Sequence, residues 1–599
     1  MIQAFSSRTS LPLWSWECVN EKCVPFPVKD ANFRLQSLQT CNMLCVSIQI
    51  WPQPTGHVSL STTAVPIRAD LIQLQSVLAI SSIVKDHVED AFNLMRSELK
   101  DVERKDRGFE DWRSVLIRVS VNGSADPRMR MNTDESYGLA LRPKVGIPHS
   151  LVVDIVADSF CGVRHAFETL SQLIWRDPYQ GILLILEAAK IVDAPKFSYR
   201  GLLLDTARSY YPVDEVFRII DAMGICKLNT LHWHATDYQA FSLQLTSAPQ
   251  MAQYGAYGPN AVYKADDISA IVRRARLRGI RVIIEIDTPS HVGRAWGWGK
   301  LYGLKSLVHC LEAQPWSSYC NEPPCGQLNP RNVNVFDLLE RIYSEIIQLT
   351  GVDDIFHLGG DDVSARCWLD HFNDTDTLTL WAEYTRLALQ RLEYANGRLP
   401  NLTLMWSSQL SERIKTHLKE YVNVLGLQSR NVAWAHKQVI GLRTVISHED
   451  AWDLNSGLGA WHEDSGGAPY NSWQRFYEYR PWSRNPDWRV EGGEATVWSS
   501  SLSASGLEAR VWPRAAALAE RLWTDRAEGT TRHVHARFDV LRSRLVERGI
   551  KAAPIWSMWC THNSHTSYIV SPRGVGRSKN YSSLFYIIIL NIDFLKVLT

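Results

Sequence analysis

The hydrophobic pattern changes rhythm once along the chain. Between residues 57 and 195 strand-like and helix-like stretches mix. Leu116-Ile117-Arg118-Val119-Ser120-Val121-Asn122-Gly123 predicts a strand and a turn, Ser150 to Val156 a second strand, and Gly162 to Ile174 a helix with apolar positions at helical spacing. From Tyr199 onward, short apolar runs recur, separated by helical stretches. Eight stand out: Gly201–Asp205, Leu228–His234, Val282–Asp287, Ile355–Gly360, Thr403–Ser407, Val422–Leu427, Thr444–Ser447 and Ala495–Ser499. Eight strand-then-helix units predict an α/β fold, a (β/α)8 TIM barrel preceded by a small α+β domain. The expected organisation is a Cys-rich cap over residues 1–50, the α+β domain over 51–195, the barrel over 196–563 and a divergent tail over 564–599. Trp51-Pro52-Gln53-Pro54-Thr55-Gly56 is a breaker cluster marking the first boundary. In the tail, Leu584 to Leu590 is an apolar run far shorter than the roughly 18 residues a membrane span requires.

Barrel active sites lie at the C-terminal ends of the strands. Those ends carry Asp205, His234 with Asp237, Asp287 with His291, Asp361 with Asp362, and Trp406. The centre of the set is His357-Leu358-Gly359-Gly360-Asp361-Asp362-Val363, which follows the apolar run Asp354-Ile355-Phe356. Two glycines allow a tight turn, and two adjacent carboxylates share one neighbourhood. Like charges that close cannot both ionise cheaply, so one pKa is expected to rise. A protonated carboxyl beside a charged one is the equipment of glycoside cleavage. An Asp-Asp pair alone reads as a solvated loop; the convergence of polar strand ends is what sets this one apart. His232 and His234 invite a metal, but no third ligand stands at a suitable spacing, so neither metal nor cofactor is expected.

Lys and Arg number 64 against 63 Asp and Glu, and this balance gives no reason to expect nucleic acid or an anionic membrane as partner. Twenty-three tryptophans, several beside turns, suit stacking on sugar faces. The 11 cysteines cluster as Cys18 with Cys23, Cys41 with Cys45 and Cys320 with Cys325, a spacing loose for a metal and favouring disulfides. Sequons at Asn122, Asn373 and Asn401 fit a secretory route. Residues 1–13 contain no apolar run of the signal-peptide kind, which points to a truncated or mispredicted start.

Four motifs, in order, resemble those of glycoside hydrolase family 20, the β-N-acetylhexosaminidases of the insect or arthropod type: Tyr199 to Thr206, Leu231-His232-Trp233-His234-Ala235-Thr236-Asp237, Glu285-Ile286-Asp287-Thr288-Pro289-Ser290-His291, and His357 to Val363. Tyr319 to Pro330 resembles the insect branch in particular. The likeness runs from about Trp14 to Asn563. It implies removal of terminal N-acetylglucosamine or N-acetylgalactosamine from chitooligosaccharides or N-glycans, with the sugar's own acetamido oxygen as nucleophile. By motif position, Asp361 would hold the acetamido nitrogen and Asp362 would be the general acid and then base. Asp237 and His291 would form a relay behind it. Arg200 would clamp sugar hydroxyls, Trp406 and Trp498 would wall the acetamido pocket, Trp473 would stack on a further sugar, and Glu322 would bind substrate. Asn321, where chitin-degrading members tend to carry an apolar residue, leans toward glycan trimming. The resemblance also implies the disulfides Cys310–Cys367 and Cys320–Cys325, two N-terminal pairs of open connectivity, a secretory, lysosomal or membrane-associated location and a homodimer.

Three positions depart from the family in the expected pocket, besides the acid itself. The family's acid is Glu where this chain has Asp362, so the proton donor retreats by roughly 1 Å, a displacement that can cost on the order of 100-fold. Asp453 replaces the Tyr that bonds the acetamido oxygen, Asn455 replaces an Asp, and Ser500 replaces a sugar-binding Glu. An ionised Asp453 would repel the attacking oxygen. These changes raise a second reading, a catalytically inactive relative that binds glycans, and a third, a drifting gene copy with neither role. A further family disulfide is absent on both sides, at Ser456 and Asn471, and Cys560 has no expected partner.

Overall fold

The computed structural model describes residues 12–28, 35–45, 48–103, 111–372, 376–431, 441–459, 468–526 and 531–563; the expected tail and the sequon at Asn373 lie outside them. The Cys-rich segment forms an antiparallel hairpin, Trp14–Val19 with Lys22–Pro27, and the helix Leu38–Cys45. Disulfides Cys18–Cys45 and Cys23–Cys41 settle the connectivity the sequence left open. So small a unit buries little apolar surface, and the covalent links make up for that.

Next comes an eight-stranded mixed sheet in which Arg113–Val121 and Ser150–Ala157 run parallel. Helices Ser82–Val102 and Phe160–Gln172 cover it. The second is buried on every side because it lies between the sheet and the barrel. Ser159 caps it, accepting from the Gly162 amide. It stops two residues short of the expected Ile174, which instead opens the edge strand Ile174–Arg176.

All eight predicted runs form strands of one parallel sheet: β1 Tyr199–Asp205, β2 Thr230–Thr236, β3 Arg281–Ile286, β4 Ile355–His357, β5 Leu402–Trp406, β6 Leu425–Ser429, β7 Arg443–Ile446 and β8 Arg489–Val497. The order β3-β2-β1-β8-β7-β6-β5-β4 brings β3 beside β4, where a bridge from Thr288 to Gly359 closes the barrel. Outward-facing Leu202, Leu204, Leu231, Trp233, Val282 and Ile284 join the helices in the main core. The interior is polar: Tyr199, His232, Glu285, Gln428 and Glu494 meet there, fully buried. Buried polar groups on this scale are tolerated only when paired.

The sheet packs against the N-terminal mouth of the barrel through ion pairs, and here one expectation is overturned. Arg200 is the second residue of β1, at the end away from the catalytic face. It is fully buried, its guanidinium paired with Glu135 of the preceding domain and donating to the carbonyls of Phe197 and Lys227 at 2.8 and 2.9 Å. Lys227 similarly reaches Asp193 at 3.1 Å. Arg200 is therefore an interdomain clamp and cannot touch substrate; its seat five residues before the strand end decides this.

Candidate active site

At the opposite mouth, β4 runs into Gly359 and Gly360, both at positive φ (73° and 85°). A Cβ on Gly359 would lie 2.1 Å from a carboxyl oxygen of Asp287, so both the conformation and the close approach require glycine. Asp287 in turn accepts from the Gly360 amide at 2.9 Å. This turn delivers Asp361 and Asp362 into a cavity of about 650 Å³, lined also by Asn321, Ser407, Gln409, Arg430 and Glu449.

His291 and Asp362 both hold left-handed backbone, φ 56° and 47°, rare for such residues and typical of functional sites. His291 Nε2 lies 3.7 Å from Asp362 Oδ2, and its Nδ1 lies 3.0 Å from Asp237 Oδ1. The expected relay is thus brought together, with a gap at the shortened acid. Asp361 accepts from the Asp362 amide at 3.0 Å and pairs with Arg430, which also meets Glu449 at 2.6 Å.

The two carboxyls split as anticipated, and Asp361 is the raised one. Burial, with the Asp362 charge, outweighs Arg430 and pushes Asp361 up to about 6. Burial also opposes the charge on Asp362, yet His291 overcomes it and holds that carboxyl well below the usual range. Asp237 raises the pKa of His291 despite its burial. Asp453 departs from expectation too: burial pushes it up to about 6, so it is an anion only above that pH.

Arg208, passed over in the sequence, stands where Arg200 was expected. It follows β1, and its Nη1 lies 2.8 Å from Asp237 and its Nη2 3.0 Å from Glu322, with the Trp498 ring 5.2 Å away. Its signal was present: an Arg just past a strand end faces the catalytic mouth, whereas one at the strand start does not. Glu322 also accepts from Ser500 at 3.3 Å. Trp406 is buried at the end of β5, donates to Glu285 at 2.7 Å and lies 5.9 Å from Trp498. Asn455 accepts from the Trp498 amide at 2.8 Å and donates back to its carbonyl, so it fixes that tryptophan's backbone. Trp473 is not a sugar platform: it is buried, packed on His535 and Phe538 at 4.8 Å each, because it begins the core helix Trp473–Glu478.

Disulfides Cys310–Cys367 and Cys320–Cys325 are present, the second closing the loop that presents Asn321 and Glu322. Where a third was expected to be missing, the Asn471 amide donates to Ser456 at 2.9 Å and spans the same gap. Among the described residues no helix is long and apolar enough to cross a membrane.

A barrel with paired carboxylates beside a His–Asp pair in a cavity at its C-terminal mouth defines a glycoside hydrolase. The chain belongs to glycosyl hydrolase family 20: the catalytic-domain model of that family matches residues 197–526, and a β-acetyl hexosaminidase-like model matches 50–173. A probable β-hexosaminidase of Drosophila melanogaster, fdl, is 35% identical over 92% of this chain and 90% of its own length. A chitooligosaccharidolytic β-N-acetylglucosaminidase of Ostrinia furnacalis is also 35% identical, over 93% and 96%. Among solved structures, an exo β-N-acetylglucosaminidase of Vibrio harveyi shares the fold with a TM-score of 0.64 at 20% identity, covering 90% of this chain and 84% of that one.

Proposed function

We propose that the protein is an exo-β-N-acetylhexosaminidase that removes terminal non-reducing GlcNAc or GalNAc by substrate-assisted, retaining hydrolysis. The observation that carries this reading is the Asp361–Asp362 pair backed by His291 and Asp237 at the cavity. In this reading the acetamido oxygen attacks the anomeric carbon as the glycosidic bond breaks. His291 hands its proton to Asp362, which passes it to the leaving oxygen and is left as a carboxylate, and Asp361 accepts the acetamido N–H as positive charge develops there. Water, deprotonated by Asp362, then opens the oxazolinium ring with retention. Arg208 and Glu322 hold the sugar hydroxyls, and Trp406 with Trp498 encloses the acetamido methyl.

Asn321 beside Glu322 favours glycan trimming over chitin digestion. The four disulfides fit folding in the secretory pathway, and a homodimer is part of the proposal, read out by light scattering. The inactive-binder alternative draws no support from the relatives, which are named as hexosaminidases.

The test is hydrolysis of an aryl β-N-acetylglucosaminide by the purified protein beside its Asp361→Ala variant. Turnover that disappears in the variant is expected; no turnover by folded protein overturns the proposal.

A further inference from the structure

The relay behind the acid does not end at Asp237. Asp237 Oδ2 lies 2.8 Å from His234 Nε2, and the other nitrogen of that ring, Nδ1, lies 2.7 Å from Glu285 Oε2. The same Glu285 oxygen lies 3.0 Å from His232 Nε2, and His232 Nδ1 lies 2.9 Å from Glu494 Oε1. Glu494 is held further by Tyr199 and Gln428, each at 2.6 Å, and Glu285 by Trp406 at 2.7 Å. Each of these side chains is buried. The result is an alternating row of carboxylates and imidazoles that crosses the barrel from β8 through β2 and β3 to the catalytic mouth.

We propose that His234 is a positioning residue for the acid step: both its ring nitrogens face carboxylates, so it stands as a fixed imidazolium whose charge keeps Asp237 from taking the proton that His291 must deliver to Asp362. An imidazole flanked by two carboxylates satisfies both only by donating from both nitrogens. A cation fixed beside Asp237 makes that carboxylate a weaker base. Without it, Asp237 would hold the His291 proton more firmly, and transfer to Asp362 across the 3.7 Å gap would be rarer. The titratable and charged groups facing His234 are Glu285 from β3, Asp287 just past it with a carboxyl oxygen within 4.8 Å, Asp237 from its own loop and Arg208, whose Nη1 is 3.4 Å away. The edge of Trp498, just past β8, covers the ring. Consistent with this, burial opposes the charge but the two carboxylates push His234 up to about 10 and His232 to about 9.

This inference rests on the hexosaminidase reading, and its test has one arm that does not. The first arm is ring-carbon and ring-nitrogen NMR of histidine-labelled wild-type protein between pH 5 and 8. The rings of His234 and His232, assigned through His234→Gln and His232→Gln spectra, are expected to be doubly protonated and not to titrate. A His234 ring that loses its proton in that window overturns the proposal whether or not the protein turns over. The second arm is leaving-group dependence. His234→Gln is expected to lower kcat/KM for a phenyl glycoside, which needs acid help, by about 100-fold. For a dinitrophenyl glycoside, which needs little, the expected loss is under about threefold. Equal losses on both substrates mean a merely structural role and overturn it. Should His234→Gln not fold, the wild-type spectra decide alone.

Discussion

Asp361 and Asp453 carry pKa values near 6 for the same reason, burial, but they are needed in opposite states. In the proposed mechanism Asp361 must be ionised to stabilise the acetamido nitrogen. Asp453, standing where the family has a donor, can donate only when protonated. Turnover is therefore expected to peak near pH 6 and to fall on both sides, about tenfold per unit at the flanks. Asp453→Tyr should raise kcat/KM at pH 7 by about tenfold, where the native carboxyl is anionic, and change it little at pH 5. A pH–rate profile of both proteins checks this; an unmoved optimum in the variant counts against Asp453 as an acetamido partner. Asp362→Glu alone should gain less than about tenfold, because Asp453 and Ser500 still limit the pocket, while the triple change Asp362→Glu, Asp453→Tyr, Ser500→Glu should gain far more. A large gain from the single substitution would sink the idea of several coupled defects.

At the scale of elements, the site depends on how two loops are held. Gly359→Ala would force φ 73° on a residue with a Cβ and press it into Asp287. The expected cost is roughly 1–3 kcal/mol of backbone strain plus the displaced Asp287, read as a lowered unfolding midpoint together with loss of turnover. Opening the Cys320–Cys325 link by Cys325→Ser should act differently. The loop it closes spans only 5 residues, so stability should change little, but Glu322 loses its fixed seat opposite Arg208 and KM should rise several-fold. Much of this level was legible in advance. The Gly-Gly-Asp-Asp turn, the eight strands and the Cys320–Cys325 loop are local features whose glycines, apolar runs and spacing speak for themselves. The N-terminal connectivity was not legible, because two nearby cysteine pairs satisfy any pairing until the hairpin and helix are placed.

For the molecule as a whole, the two arginines of the β1 segment give a clean contrast. Arg200→Met leaves Glu135 buried without its cation, a loss of about 3–5 kcal/mol, and should lower the unfolding midpoint while leaving KM of the folded protein unchanged. Arg208→Met should do the reverse, raising KM by about 100-fold with a smaller effect on the midpoint. Thermal unfolding and steady-state kinetics on the two variants separate interdomain clamp from sugar clamp. If Arg200→Met raised KM and Arg208→Met did not, the assignment made here would be reversed.

The sequence by itself determined the (β/α)8 barrel and the strand ends that carry Asp361, Asp362, Asp237 and His291, because apolar strand runs and glycine turns are written locally; the roles expected of those four came from the family resemblance. Only the tertiary structure decided that Arg200 faces the other domain and Arg208 pairs with Asp237 and Glu322 at the catalytic mouth, that Trp473 is core, and which carboxyl of the pair is raised. It also placed the His234 ring between Asp237 and Glu285. These outcomes depend on which groups end up side by side across the barrel and how far each is removed from water, and no local pattern encodes either quantity.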